Sequence, residues 1–104
     1  MIVFAHRGAS AFAPENTKAS FKKAIDLGAK NFEFDVQITS DNEYVIFHDY
    51  TLERTSNGQG LLSNKTLSEL KDLDIGSWYS EEFCGEQIMT LQELIDFLPS
   101  DSFL

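Results

Sequence analysis

The chain has 104 residues, with eight Lys and Arg against seventeen Asp and Glu for a net charge of −9, and it is 42% apolar and 12% aromatic. That balance describes one folded domain at most, and the negative charge excludes electrostatic binding to nucleic acid or to an anionic membrane as the main function. One cysteine, Cys84, excludes an internal disulfide and a Cys-rich zinc site. The apolar stretch before His6 lacks a basic region and a long apolar core and is not expected to act as a signal peptide, and no run approaches the roughly 20 apolar residues of a membrane span. A reducing cytoplasm is the expected setting.

In chain order, Ile2-Val3-Phe4-Ala5 is an apolar run closed by His6-Arg7-Gly8, the pattern of a strand buried on both faces. Residues 8–14 are a loop of small residues. Asn16 or Thr17 is placed to cap a helix over residues 17–27, whose apolar face is Phe21, Ala24 and Ile25 and whose end is marked by Gly28. Residues 31–39 alternate: Phe32, Phe34, Val36 and Ile38 point one way, Glu33, Asp35, Gln37 and Thr39 the other. Ser40-Asp41-Asn42-Glu43 is a turn, and residues 44–47 are a strand leading into His48-Asp49.

Residues 52–64 form a polar, glycine-bearing loop. Thr66-Leu67-Ser68-Glu69 is a capping box that opens a helix to about Leu73, and Trp78, Tyr79 and Phe83 mark an aromatic loop over residues 76–85, expected as a core lid. A second capping box, Thr90-Leu91-Gln92-Glu93, opens a helix with Leu91, Leu94, Ile95 and Leu98 on one face and Pro99 as its stop. Residues 100–104 lead toward another strand. The strand–helix–strand start predicts an α/β fold with a parallel sheet.

One connection leaves two solutions. About eight residues separate Val36 from Val45, while a helical crossover between parallel strands needs a dozen or more. Either the two strands form an antiparallel hairpin, or residues 37–44 return in extended form, reaching up to about 26 Å. The second is expected if His48 is to share a site with Glu33 and Asp35.

Glu33 and Asp35 stand two apart, on one side of a strand and about 6.5–7 Å from each other along the backbone. Two such carboxylates in a central strand repel, and a divalent cation removes the conflict. Oxygen-only ligation points to Mg²⁺ or Ca²⁺. An edge strand with one wet face accounts for the same spacing. His6 and His48 are the only histidines and the side chains whose reference pKa lies nearest neutrality. Each ends an apolar run beside a charged residue, as acid/base groups or as packed rings. Arg7 offers a planar fork for phosphate oxygens or for a surface carboxylate. Asn57-Gly58 and Gly60 mark either an active-site loop or a plain surface turn.

Taken together, His6-Arg7-Gly8-Ala9, Pro14-Glu15-Asn16-Thr17, Glu33-Phe34-Asp35-Val36-Gln37, His48-Asp49, Arg54-Thr55-Ser56-Asn57-Gly58 with Gly60, Gly76-Ser77-Trp78 and Ile88-Met89-Thr90-Leu91-Gln92-Glu93-Leu94 run in an order and spacing that resembles the glycerophosphodiester phosphodiesterase family of phosphodiesterase barrels. Ser56 stands where threonine is usual in that family, and Met89 where proline is usual.

The resemblance implies a (β/α)₈ barrel with its site at the C-terminal ends of the strands. It implies Glu33 and Asp35 as metal ligands for Mg²⁺ or Ca²⁺, His6 and His48 as the acid/base pair, and Arg7 as the phosphate holder. The implied reaction is hydrolysis of a small glycerophosphodiester to sn-glycerol 3-phosphate and an alcohol. A whole barrel needs roughly 200 residues or more. Residues 1–104 are therefore expected to be the N-terminal portion of one barrel domain, with a third carboxylate ligand beyond Leu104. Two other readings are a catalytically inactive half-barrel that binds or oligomerises, and a lysophospholipase D-like phosphodiesterase.

Overall fold

The computed structural model describes residues 4–103, Phe4 by its backbone alone. Met1, Ile2 and Val3, and with them the start of the first expected strand, lie outside the described residues. The elements are β1 (Phe4–His6), α1 (Lys18–Asp26), β2 (Asn31–Glu33), β3 (Val36–Ile38), β4 (Tyr44–Ile46), α2 (Leu67–Lys71) and α3 (Leu91–Phe97), with 3₁₀ turns at Leu62–Asn64 and Glu81–Phe83.

β1 and β2 pair in parallel, with Phe4 opposite Asn31, Ala5 opposite Phe32 and His6 opposite Glu33. The crossover between them is α1. Thr17 is its N-cap, and Thr17 and Ser20 satisfy each other's backbone N–H groups in a capping box. Past its end Gly28 takes φ +92°, the left-handed conformation that closes a helix without a Cβ penalty. Phe21 and Ala24 carry the buried face, and Phe21 meets Phe32 and Phe34 at ring-centroid distances of 6.3 Å each.

The alternating run over residues 31–39 is not one strand. It is interrupted at Phe34 and Asp35, and the interruption is where its partner changes. Before it, β2 pairs with β1; after it, β3 pairs antiparallel with β4, Val36 opposite Ile46 and Ile38 opposite Tyr44. The second stretch is therefore a hairpin, not an extended return. Val36 and Ile38 do not continue the buried face of Phe32; they are 42% and 49% exposed. The helix opened by Thr66 ends at Lys71, short of Leu73, although its capping box forms as expected.

β4 separates two cores. Ile46 packs with Ala5, Phe21, Phe32, Met89 and Leu94. Its neighbours Val45 and Phe47 pack on the other side with Leu52, Leu62, Leu70, Ile75 and Ile88. The period-two alternation of a strand buried on both faces produces this split. α3, capped by the Thr90 box, covers the first core with Leu94 and Leu98, while Ile95 stays 43% exposed. Beyond it Phe103 bridges in parallel to Asn31 and accepts a hydrogen bond from the Phe32 N–H at 2.9 Å. The chain thus returns alongside β2 on its far side, as residues 100–104 lead one to expect.

The aromatic loop is a surface feature, not a core lid. Trp78 and Tyr79 are 41% and 36% exposed and stack edge-on at 5.7 Å. Asp74 organises the loop by accepting hydrogen bonds from the backbone N–H groups of Gly76, Ser77 and Gly85 and from the Ser77 hydroxyl. Those donors hold its carboxyl far below the usual range, the Ser77 hydroxyl first among them. Asn57 also proves structural: its side-chain oxygen accepts from the Asp74 N–H at 3.0 Å.

Candidate active site

The C-terminal end of β1 fixes the first two side chains. His6 is its last residue, and Arg7 follows in the left-handed region at φ +53°. That conformation is uncommon for a residue with a Cβ. It is held by the Arg7 carbonyl, which accepts from the Asn16 N–H at 2.8 Å and the Ser20 hydroxyl at 3.1 Å. Gly8, at φ +79°, lies so close to α1 that a Cβ there would meet Ser20 Oγ at 2.2 Å. The sharp turn thereby tucks the loop under the helix and leaves His6 and Arg7 at the strand end.

The parallel register then sets the first contact. His6 stands opposite Glu33, and its Nε2 lies 2.8 Å from Glu33 Oε2. The angles are not those of a hydrogen bond, so Glu33 Oε2 is a buried oxygen without a hydrogen-bond donor among the described residues. Arg7 Nε lies 3.2 Å from Asp35 Oδ2, and Arg7 Nη1 donates to Glu15 Oε2 at 3.3 Å. Asn16, 1% exposed and also left-handed at φ +57°, donates from Nδ2 to Asp35 Oδ2 at 3.1 Å.

The hairpin brings in the second histidine. Gln37 on β3 donates from Nε2 to the carbonyls of Phe47 at 2.9 Å and Asp49 at 2.6 Å. One amide thus grips the backbone on either side of His48. His48 Nδ1 lies 2.6 Å from Asp49 Oδ1. An ionised carboxylate only accepts, so Nδ1 is the nitrogen that carries the proton towards Asp49, and in the neutral form of the ring Nε2 is the open nitrogen. His48, Asp49 and Asp35 line one open cleft of about 700 Å³ together with Phe34, Gln37 and Tyr50. A hairpin, not an extended return, is therefore what carries His48 to Asp35.

Arg54 joins the two arms. It donates to both oxygens of Asp49 at 2.8 and 2.9 Å and to both oxygens of Glu15 at 3.0 Å each. The Arg54 guanidinium, with help from His48 against a smaller opposing effect of burial, lowers the Asp49 carboxyl from 3.8 to about 2. Asp49 and Glu15 in turn raise the pKa of Arg54. A continuous chain of contacts runs Asp35–Arg7–Glu15–Arg54–Asp49–His48. His6 and Glu33 form a separate pair beside it, joined through the backbone by the Arg7 N–H to the Glu33 carbonyl at 2.7 Å.

All five residues singled out in the sequence, His6, Arg7, Glu33, Asp35 and His48, thus meet a site neighbour. Reading the residues assigned no site role to Glu15, Gln37, Asp49 or Arg54, and offered Asn16 only as a helix cap, the place Thr17 takes. Their motif membership was the signal; their contacts, across as many as 39 residues for Arg54 and Glu15, leave no periodicity to read. As donors to a hard cation, Glu33 and Asp35 fit in type: two carboxylates, one with a buried oxygen lacking a hydrogen-bond donor. They are a partial set, since among the described residues no group of three His, Cys, Asp or Glu is placed to hold a metal ion.

The profile of the glycerophosphoryl diester phosphodiesterase family matches residues 6–103. A glycerophosphodiester phosphodiesterase from Caldanaerobacter subterraneus subsp. tengcongensis is 48% identical over 103 residues, which are 99% of this chain and 42% of that protein. The crystal structure of a glycerophosphodiester phosphodiesterase from Agrobacterium tumefaciens superposes with a TM-score of 0.94 at 36% identity, over 98% of this chain and 44% of its own. An Oleispira antarctica phosphodiesterase, in complex with the product sn-glycerol-3-phosphate, gives a TM-score of 0.91 at 48% identity over 94% of this chain and 40% of its own. The chain spans about two fifths of the length of these relatives, and its fold is that part of a phosphodiesterase-type (β/α)₈ barrel.

Proposed function

Because the chain belongs to the glycerophosphoryl diester phosphodiesterase family, we propose that it carries the acid/base and phosphate-holding part of a metal-dependent glycerophosphodiesterase. The observation that carries this reading is a convergence. Both histidines and both arginines of the sequence gather with Glu15, Glu33, Asp35 and Asp49 at the ends of β1, β2 and β4. Four carboxylates against two guanidiniums leave the cluster short of positive charge, which a divalent cation at Glu33 and Asp35 would supply beside the phosphate-holding fork of Arg7.

The substrate is a small glycerophosphodiester, cut to sn-glycerol 3-phosphate and an alcohol. Arg7 holds the phosphate: Asp35 and Glu15 engage its Nε and Nη1, which leaves the N–H groups of Nη2 and the second N–H of Nη1 as donors for phosphate oxygens. Glu33 and Asp35 hold Mg²⁺ or Ca²⁺. The chemistry such an ion supplies when bound is polarisation of the phosphodiester and a lowered pKa of the attacking hydroxyl or water. One histidine takes the proton of the nucleophile and the other protonates the leaving alcohol. The open Nε2 of His48, with its Nδ1 turned to Asp49, suits either step.

Residues 1–104 are the N-terminal portion of one barrel domain in this reading. β1 and β2 are neighbouring barrel strands, and Phe103, parallel to Asn31, begins the next, beyond which a third carboxylate ligand lies. The lone cysteine, Cys84, suits a reducing cytoplasm. No helix among the described residues is long and apolar enough to cross a membrane.

The test is turnover of glycerophosphocholine by the intact protein with His6→Ala and His48→Ala. Each loses at least about 100-fold in kcat, the range set by general acid–base catalysis. Wild-type turnover in either variant removes that histidine from the reaction.

A further inference from the structure

The contacts of Arg54 go beyond those of an ordinary surface ion pair. Its guanidinium spends Nε and Nη2 on Asp49 and Nη1 and Nη2 on Glu15. Each of these carboxylates touches a side chain of the proposed reaction. Asp49 Oδ1, 2.9 Å from Arg54 Nη2, is also 2.6 Å from His48 Nδ1. Glu15 Oε2, 3.0 Å from the same Nη2, is also 3.3 Å from Arg7 Nη1. One nitrogen therefore stands at the centre of a path from the phosphate-holding arginine to the acid/base histidine. The Glu15 and Asp49 side chains are 10% and 21% exposed, while Arg54 is 46% exposed. It closes the network from the solvent side.

Resting on the reading of Arg7 and His48 given above, we propose that Arg54 is a positioning residue whose guanidinium orients the His48 ring through Asp49 and the Arg7 side chain through Glu15. The planar fork is required because two carboxylates must each be met at two oxygens in one geometry. A lysine ammonium is a point charge and meets such a pair without the fork. Arg54 touches no substrate in this scheme. It keeps the Asp49 carboxylate turned so that the His48 proton stays on Nδ1 and the Nε2 lone pair faces the cleft.

A loop staple without this role changes the unfolding midpoint and nothing else, so the test reads the ring itself. In the intact protein labelled with ¹⁵N-histidine, at a pH where the ring is neutral, wild-type His48 is expected in a single tautomer with the proton on Nδ1. Arg54→Met is expected to shift the ring toward the mixture of a free imidazole and to lower kcat/KM about 10- to 100-fold, as loss of an orienting partner does. Arg54→Lys keeps the charge and guards against loss of the fold; it is expected to move the same way by less. Glu15→Gln, which weakens the Arg7 arm while Arg54 keeps both of its contacts to Asp49, raises KM and leaves the His48 tautomer unchanged. A single Nδ1–H tautomer retained in folded Arg54→Met and Arg54→Lys overturns the proposal. A mixed tautomer with undiminished turnover upholds the clamp and instead overturns the catalytic reading of His48.

Discussion

Asp49 carries the charge on which the His48 arm depends. Arg54 meets both its oxygens, His48 adds a further contact, and together they depress its carboxyl from 3.8 to about 2. Because the folded-state value lies below the unfolded one, the stabilisation from these contacts is complete above about pH 4, declines as the pH falls and is gone once the pH passes below about 2. A ¹³C titration of the Asp49 carboxyl is expected to show a midpoint near 2 in the wild type and a midpoint moved back toward 3.8 in Arg54→Met. An unshifted wild-type midpoint contradicts the pairing. At this scale the sequence was informative about identity and silent about contact. His6, Arg7 and His48 stand out because they end apolar runs. Glu15 and Arg54 do not, since a loop glutamate and a loop arginine 39 residues apart have no spacing that reports their meeting.

The elements explain why those side chains arrive where they do. β1 stops at His6, and the left-handed pair Arg7 and Gly8 turns the chain sharply beneath α1. Gly8→Ala places a methyl 2.2 Å from Ser20 Oγ and 2.8 Å from the Ser20 backbone carbon at φ +79°. The expected cost is about 2–4 kcal/mol, combining the left-handed backbone with overpacking. It is read as a lower urea midpoint with a displaced Arg7, and a midpoint equal to wild type contradicts the account of the turn. The helices were legible because their caps are local. Thr66 and Thr90 carry a glutamate three residues on, and both boxes form. Thr17 uses Ser20 in that place, a weaker sequence signal for the same device. The division of residues 31–39 was not legible, because the alternation runs unbroken through Phe34 and Asp35 while the hydrogen-bonding partner changes from β1 to β4. Period two records which way a side chain points and not which strand lies beside it. Val36 and Ile38 accordingly look like core in the sequence and stand half exposed in the fold.

At the scale of the whole molecule, two cores share the wall of β4, and the site lies where the strands end. The first core ties α1 and α3 to β1 and β2 and so fixes His6, Arg7 and Glu33. The second, built on Val45, Phe47 and the loops around Leu52 and Leu70, fixes the segment that carries His48 and Arg54. The two groups of residues meet through side-chain charge and the Gln37 amide, which is why composition and periodicity point to the α/β class while saying nothing of how the arms close. The chain spans about two fifths of its relatives' length, so the proposed activity belongs to the intact barrel, and the proposed cation site at Glu33 and Asp35 needs a further ligand.

The most direct measurement is product formation from glycerophosphocholine by the intact protein after chelation and after adding back Mg²⁺ or Ca²⁺. The account predicts no turnover in chelator, recovery with one of the two ions, and equal amounts of sn-glycerol 3-phosphate and choline. Turnover that is indifferent to chelation, or cleavage to glycerol and phosphocholine, contradicts it.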